Sequence, residues 1–161
     1  MPIKTQKVLD SSFDRCTRQK TFIQIDKLSF RDYRDEALAD LDAAKKELAN
    51  GTIKWAIVKA YQALFLQCTA VLVKTVGVYS KDHGCLLIAL LKHNIVSVDV
   101  LSKIETMLSH KKTLFEEIER LRISRNKALY FPKTQNIIAA QEAEHIIEEV
   151  RSLLVLLGEQ L

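Results

Sequence analysis

The sequence predicts an all-α fold: an antiparallel, up-and-down bundle of four to five helices that follows an extended N-terminal arm. Two observations indicate this class. Hydrophobic residues make up 48% of the 161 residues and charged residues 27%, with only four glycines and two prolines, a composition typical of globular helical proteins. Long segments also carry apolar residues at helical spacing and are joined by short connections, as in antiparallel bundles. The length is that of one domain.

The chain divides into an arm and a bundle. We predict that residues 1–31 form an irregular or extended arm that packs on the bundle, and that residues 32–161 form the bundle itself. The arm contains a few apolar anchors: Phe22, Ile23, Ile25, Leu28 and Phe30. Its start, MPIKTQKVLDSSFDRCTRQ, carries charges where a signal peptide needs an uninterrupted apolar core, so we do not expect secretion.

The first two helices of the bundle are predicted from periodicity and end signals. Helix one covers residues 32–50, where apolar residues recur at helical spacing: Ala37, Leu41, Ala44 and Leu48. Thr52 is a suitable N-cap for helix two, and Gly77 ends it. Helix two is apolar almost all the way round, which indicates the central element of a bundle. Four polar residues argue against its being a membrane span: Lys59, Gln62, Gln67 and Lys74.

Three further helices are predicted in the rest of the chain. CLLIALLKH forms a short third helix, with Ser80 or Asp82 as its cap. The fourth begins near Val98 or Asp99 and ends before Pro132, because proline disfavours helical geometry in the residue before it. The last helix covers residues 134–157 and buries one side at helical period: Ala143, Ile146 or Ile147, Val150, Leu153 or Leu154, and Leu157.

Charge, cysteines and histidines restrict the function only loosely. The net charge of +4 allows anionic partners such as RNA but does not require them. The three cysteines form no CxxC pair, which predicts reduced thiols and a cytoplasmic location. The four histidines lack the spacing of metal ligands. We therefore predict no metal and no cofactor.

Residues 121–132, LRISRNKALYFP, place polar side chains at the end of an otherwise apolar helix. Arg125 continues an inward apolar stripe, and Arg122, Asn126 and Tyr130 form a neighbouring stripe at steps of four residues. One interpretation is structural, in which the arginine and asparagine cap carbonyls or pair with nearby glutamates. The other is an anion site, because guanidinium groups bind phosphate through two hydrogen bonds and the amide and phenol orient it.

Three segments in this order resemble the HEPN domain, especially its short prokaryotic stand-alone members: EALADLDAAKKELANGTIKWAIVKAYQALF, VGVYSKDHGCLLIALL and LRISRNKALYFP. The resemblance covers about residues 32–157. It implies an all-α bundle of four or five helices that usually dimerises. It also implies a motif R-x4-6-H near the end of the penultimate long helix, which supports metal-independent RNA cleavage in active members.

Matched to this motif, Arg125 takes the arginine position, Asn126 the polar position after it, and Tyr130 stands where the histidine would be. These three are the candidate catalytic residues, and together with Arg122 they are the expected RNA or nucleotide ligands. A phenol with a pKa of about 10 exchanges protons poorly near neutral pH, so we expect binding rather than catalysis. His145 and His83 are second-rank candidates: His145 for the missing imidazole, His83 as a cap of helix three or a contact to a dimer partner.

Three functions follow from the resemblance. The first is a nucleotide- or RNA-binding module without efficient catalysis. The second is a metal-independent endoribonuclease of the toxin type, which the missing histidine disfavours. The third is a partner subunit of a minimal nucleotidyltransferase, in a toxin-antitoxin-like pair in which Tyr130 is a modified residue. We also expect a homodimer, because a bundle this rich in Leu, Ile and Val leaves an apolar face for a second copy.

Overall fold

A computed structural model describes residues 6–107 and 134–161, with side chains described for 6–107 and 140–161. Within these ranges the chain is mainly helical, which confirms the all-α bundle. The helices are α1 Gln6–Arg18, α2 Phe30–Ala49, α3 Ile53–Val76, α4 His83–Lys92, α5, described over 98–107, and α6 Thr134–Gly158. Two short strands, β1 Phe22–Gln24 and β2 Val78–Ser80, pair antiparallel, and Lys27–Ser29 forms a 3₁₀ turn.

Helices α2 and α3 form an antiparallel hairpin. Lys59 of α3 donates to the Asp40 carboxylate of α2 at 2.6 Å, part-way along both helices. Thr52 occupies the predicted position before α3, but its side chain makes no cap bond. Its hydroxyl instead donates to the Glu47 carbonyl of α2 at 2.8 Å and so closes the turn.

Helix α3 is the central element, as predicted. By length and composition α3 would also be long and apolar enough to cross a membrane, yet 78% of its most apolar window is buried inside the bundle. The predicted stop at Gly77 is confirmed, with φ at 79° in the left-handed region. A side chain there would also meet Lys27, 3.3 Å from the position of its Cβ.

Helix α6 runs alongside α3 in the same direction. Gln67 donates to the Leu154 carbonyl at 3.3 Å, and further along both helices Lys74 donates to the Gln160 carbonyl at 3.4 Å. The predicted buried side of α6 is confirmed, and both members of each alternative pair are buried: Ala143, Ile146, Ile147, Val150, Leu153, Leu154 and Leu157.

Helix α4 begins at a side-chain cap. Of the two predicted caps, Asp82 has this role, since its carboxylate accepts from the Cys85 N–H at 2.8 Å. Ser80 instead donates to the Asp82 carbonyl at 2.9 Å. All seven residues from 85 to 91 are buried, so α4 has neighbours on every side.

The N-terminal arm differs from the prediction. Most of it is not extended: residues 6–18 form α1, because Leu9, Phe13 and Cys16 follow one another at steps of four and three and make one apolar stripe. Residues 22–24 are extended, and they pair with a strand inside the predicted VYSKDHG connection, with Ile23 opposite Tyr79.

The prediction of three reduced cysteines is wrong for two of them. Cys16 of α1 and Cys85 of α4 form a disulfide across 69 positions of sequence. Because the fold brings them together, their spacing along the chain gave no sign of the bond. Cys68 is a buried free thiol and packs as the small hydrophobic residue that we expected, with burial raising the pKa of its thiol to about 12.

Candidate functional site

An open cleft of about 670 Å³ lies between the beginning of α5 and the middle of α6. Helix α5 contributes Ser102, Lys103 and Thr106 to its wall, and α6 contributes a polar row with His145 and Ser152. Hydroxyl, ammonium and imidazole groups therefore share one cavity. Each of these groups is able to donate a hydrogen bond to an anionic ligand, the imidazole through its N–H.

His145 is held at the surface of α6 by its helical position. Its side chain is 73% exposed, and its Nε2 lies 3.5 Å from Oε1 of Glu149, one turn further along the helix. The imidazole and the carboxylate therefore lie side by side on the wall of the cleft.

Carboxylates limit how attractive the cleft is to anions. Glu148 lines the cleft, but its charge is paired with Arg151, whose Nε lies 2.7 Å from the carboxylate. Glu149 also lines it and faces His145. The cleft offers hydrogen-bond donors but little net positive charge.

Tyr61 is a buried phenol of α3 that sequence reasoning missed. It is 2% exposed. Burial, together with the negative charges of Glu149 and Glu142 on α6, raises the pKa of Tyr61 to about 12. The phenol therefore stays protonated at neutral pH and is not a base there. A tyrosine within an apolar helix is the signal that could have found it, since buried phenols need a polar partner.

The four predicted ligand residues, Arg122, Arg125, Asn126 and Tyr130, lie outside the described residues. The segment that carries them, 108–133, connects the described part of α5 to the first residue of α6. The two helices that border the cleft are thus the elements that precede and follow the motif in the chain. This is the relation between motif and cleft that the described residues establish.

His83 occupies a different place from His145. It is the first residue of α4, and its ring centroid lies 4.1 Å from that of Phe65 on α3. The prediction that it caps the third helix is wrong, because Asp82 makes the cap bond. His83 does not line the cleft that contains His145.

Metal ligation is restricted by the positions of the potential ligands. In the described part of the chain, no group of three His, Cys, Asp or Glu side chains is close enough to hold a metal ion.

The fold defines a class of helical bundle in which a buried central helix is flanked by amphipathic partners. A family model for the HEPN domain matches residues 30–160, from the beginning of α2 to beyond the end of α6. The chain belongs to the HEPN domain family. Helix α1 and strand β1 lie outside the match. Comparisons with curated proteins and with solved structures found no match.

Proposed function

We propose that this HEPN protein binds RNA or nucleotides through their phosphate groups and cleaves RNA weakly or not at all. The observation that carries the proposal is the combination of a HEPN bundle with the residues Arg125 and Asn126 of the family motif, where Tyr130 replaces the histidine. Arg122 and Arg125 supply the guanidinium groups that the described cleft lacks, and Tyr130 orients the ligand through a neutral hydrogen bond.

Donor groups on the described part of α5 support this proposal. Lys103, Ser102 and Thr106 add an ammonium and two hydroxyl donors along α5, in the helix that leads into residues 108–133. Phosphate binding by such a set depends on salt concentration, because the ligand displaces counterions when it binds.

A direct experiment is titration of the full chain with a short single-stranded RNA and with a nucleotide, in EDTA and at two salt concentrations. The proposal expects saturable binding that weakens as salt rises, with the RNA recovered intact. Absence of binding to both ligands at low salt would contradict it.

We also propose that the chain acts in the cytoplasm as a homodimer and as the partner subunit of a minimal nucleotidyltransferase, in a toxin-antitoxin-like pair. The resemblance to stand-alone HEPN proteins of this kind supports the partnership.

Co-expression with a nucleotidyltransferase encoded beside the gene should give a complex that purifies through either subunit. Mass spectrometry should then find a nucleotidyl group on wild-type protein and none on Tyr130→Phe. A monomer mass by light scattering across micromolar concentrations would contradict the homodimer.

A second candidate function is metal-independent RNA cleavage. The observation that favours it is the exposed His145, paired with Glu149 in a cleft bordered by α5. Cleavage through a 2′-hydroxyl needs a group that accepts and donates protons, and this imidazole is the group on the described part of α6 suited to that role. RNA cleavage lost in His145→Gln would select this function.

A further inference from the structure

Helix α1 is an addition to the HEPN bundle. The family match begins at residue 30, after α1 and β1. Among the described elements, α4 is the one against which α1 packs extensively. Helix α1 therefore lies on the bundle as a strap along one of its helices.

Among the described residues, few noncovalent contacts join α1 to the bundle. Leu9 and Cys16 are the buried residues of α1. Asp10 pairs with Lys92 at 2.7 Å, with both side chains partly exposed, and Phe13 contacts the ring of His93 with centroids 5.6 Å apart. Of these two buried side chains, Cys16 is itself one half of the disulfide.

The burial of helix α4 depends on α1. Its residues 85–91 are buried on all sides, in a helix of only ten residues. Cys85, which bonds to Cys16, and Lys92, which pairs with Asp10, lie two turns apart and mark the line along which α1 crosses α4. Removing α1 would expose this face of α4 to water.

The end of α1 nearest the disulfide is followed by a turn that can serve as a hinge. Lys20 has φ at 53°, and β1 is fixed beyond it by its pairing with β2. Besides the contacts of Asp10 and Phe13, helix α1 is tied to the bundle at two nearby places, the disulfide and the strand. When the disulfide is absent, the strand remains as the point about which α1 can move.

We propose that the Cys16–Cys85 disulfide is a redox latch that keeps α1 closed on α4. A dithiol reductant opens the latch by thiol–disulfide exchange: its thiolate attacks one sulfur, the S–S bond breaks, and its second thiol releases the mixed disulfide. The reductant becomes a disulfide, and Cys16 and Cys85 each gain one electron and one proton as thiols. In the reduced chain α1 opens about the turn at residues 19–21 and uncovers the face of α4 that carries Cys85.

Amide hydrogen exchange of the full chain tests the latch. We expect exchange of the α1 amides to become at least about tenfold faster after treatment with dithiothreitol, because weakly packed elements open locally, while the amides of α2 and α3 keep their rates. Cys16→Ala/Cys85→Ala should show the fast exchange without reductant. Cys68→Ser, which leaves the pair intact, should respond to dithiothreitol as the wild type does.

Two results would overturn the proposal. One is equal protection of α1 in the oxidised and reduced wild-type chain, which would mean that noncovalent contacts hold the helix closed. The other is the detection of three reactive thiols per chain after unfolding of the air-oxidised protein, which would mean that the bond does not form. Both measurements use the wild-type chain, so they stand even where the double variant fails to fold.

Discussion

Lys59 and Asp40 form an ion pair between α3 and α2, with 2.6 Å between Nζ and Oδ1 and with the carboxylate side chain only 6% exposed. The lysine reaches this carboxylate from a position that is 41% exposed. The hydrogen bond to Asp40 raises the pKa of Lys59. The pair joins the first two helices of the HEPN bundle.

Replacing Lys59 should leave a buried carboxylate without its partner. We expect Lys59→Met to lower the free energy of unfolding by about 1–3 kcal/mol, the cost of an unsatisfied buried polar group, as measured by urea denaturation. The matched control is Arg34→Met, which breaks an exposed pair with Asp35 and should cost less than about 1 kcal/mol. Equal losses in the two variants would show that burial of Asp40 does not matter.

Tyr61 should give the stability a dependence on alkaline pH. Its pKa in the folded chain is about 12, against about 10 for an exposed tyrosine. The stabilisation is fully present below pH of about 10 and is lost as pH rises toward the folded pKa, because the unfolded chain releases the proton first. This contribution amounts to about 3 kcal/mol, because each pKa unit corresponds to about 1.4 kcal/mol. The unfolding free energy of the wild type, taken relative to that of Tyr61→Phe, should fall by that amount between about pH 10 and 12. A difference that stays constant would contradict the burial of the phenol.

Much of the fold could be predicted from local patterns. The limits of α2, α3, α4 and α6 agree with the prediction to within about two residues, because helical periodicity and end signals are properties of neighbouring residues. Gly77 and Asp82 show this directly, since a left-handed turn and a side-chain cap need only the adjacent chain.

The features that sequence reasoning missed depend on distant residues. The bond between Cys16 and Cys85, the strand pairing of Ile23 with Tyr79, and the field of Glu149 at Tyr61 each join segments that only the fold brings together. The contact between the rings of His83 and Phe65 was missed for the same reason, because Phe65 lies on another helix. For the motif residues Arg122, Arg125, Asn126 and Tyr130, the predicted roles remain predictions.

Restoring the family histidine should restore RNA cleavage. We expect wild-type protein in EDTA to cleave RNA weakly or not at all, and Tyr130→His to cleave at least about 100-fold faster, the contribution of a positioned proton-transfer group. Gel analysis of a labelled RNA measures both rates.

Three further variants show which side chains the cleavage depends on. Tyr130→Phe serves as the control, since it removes the hydroxyl without adding an imidazole and should stay inactive. Robust cleavage by the wild-type chain, abolished in Arg125→Ala, would contradict the binding function and establish the ribonuclease. His145→Gln would then show whether the cleft histidine supplies the imidazole.

Arg125 carries the central claim, because it is either a structural partner of a nearby carboxylate or a phosphate ligand. A structural arginine can often be replaced by a hydrophobic residue of similar volume without loss of stability when its partner is not left unpaired. Such a change would leave ligand affinity as it was. A phosphate ligand behaves in the opposite way, since its loss weakens binding while the fold remains intact.

The most direct measurement is the affinity of wild type and Arg125→Met for a short single-stranded RNA at two salt concentrations. Arg18→Met, at an exposed position of α1, removes the same charge and serves as the control. We predict that Arg125→Met keeps its Tm and loses about 1.5–3 kcal/mol of binding free energy, the worth of a charged hydrogen bond. For this variant, the slope of log affinity against log salt concentration should become less steep by about 0.7, because one phosphate contact is lost. Arg18→Met should bind as wild type does. An unchanged affinity and salt dependence in Arg125→Met would contradict the account and make the arginine structural.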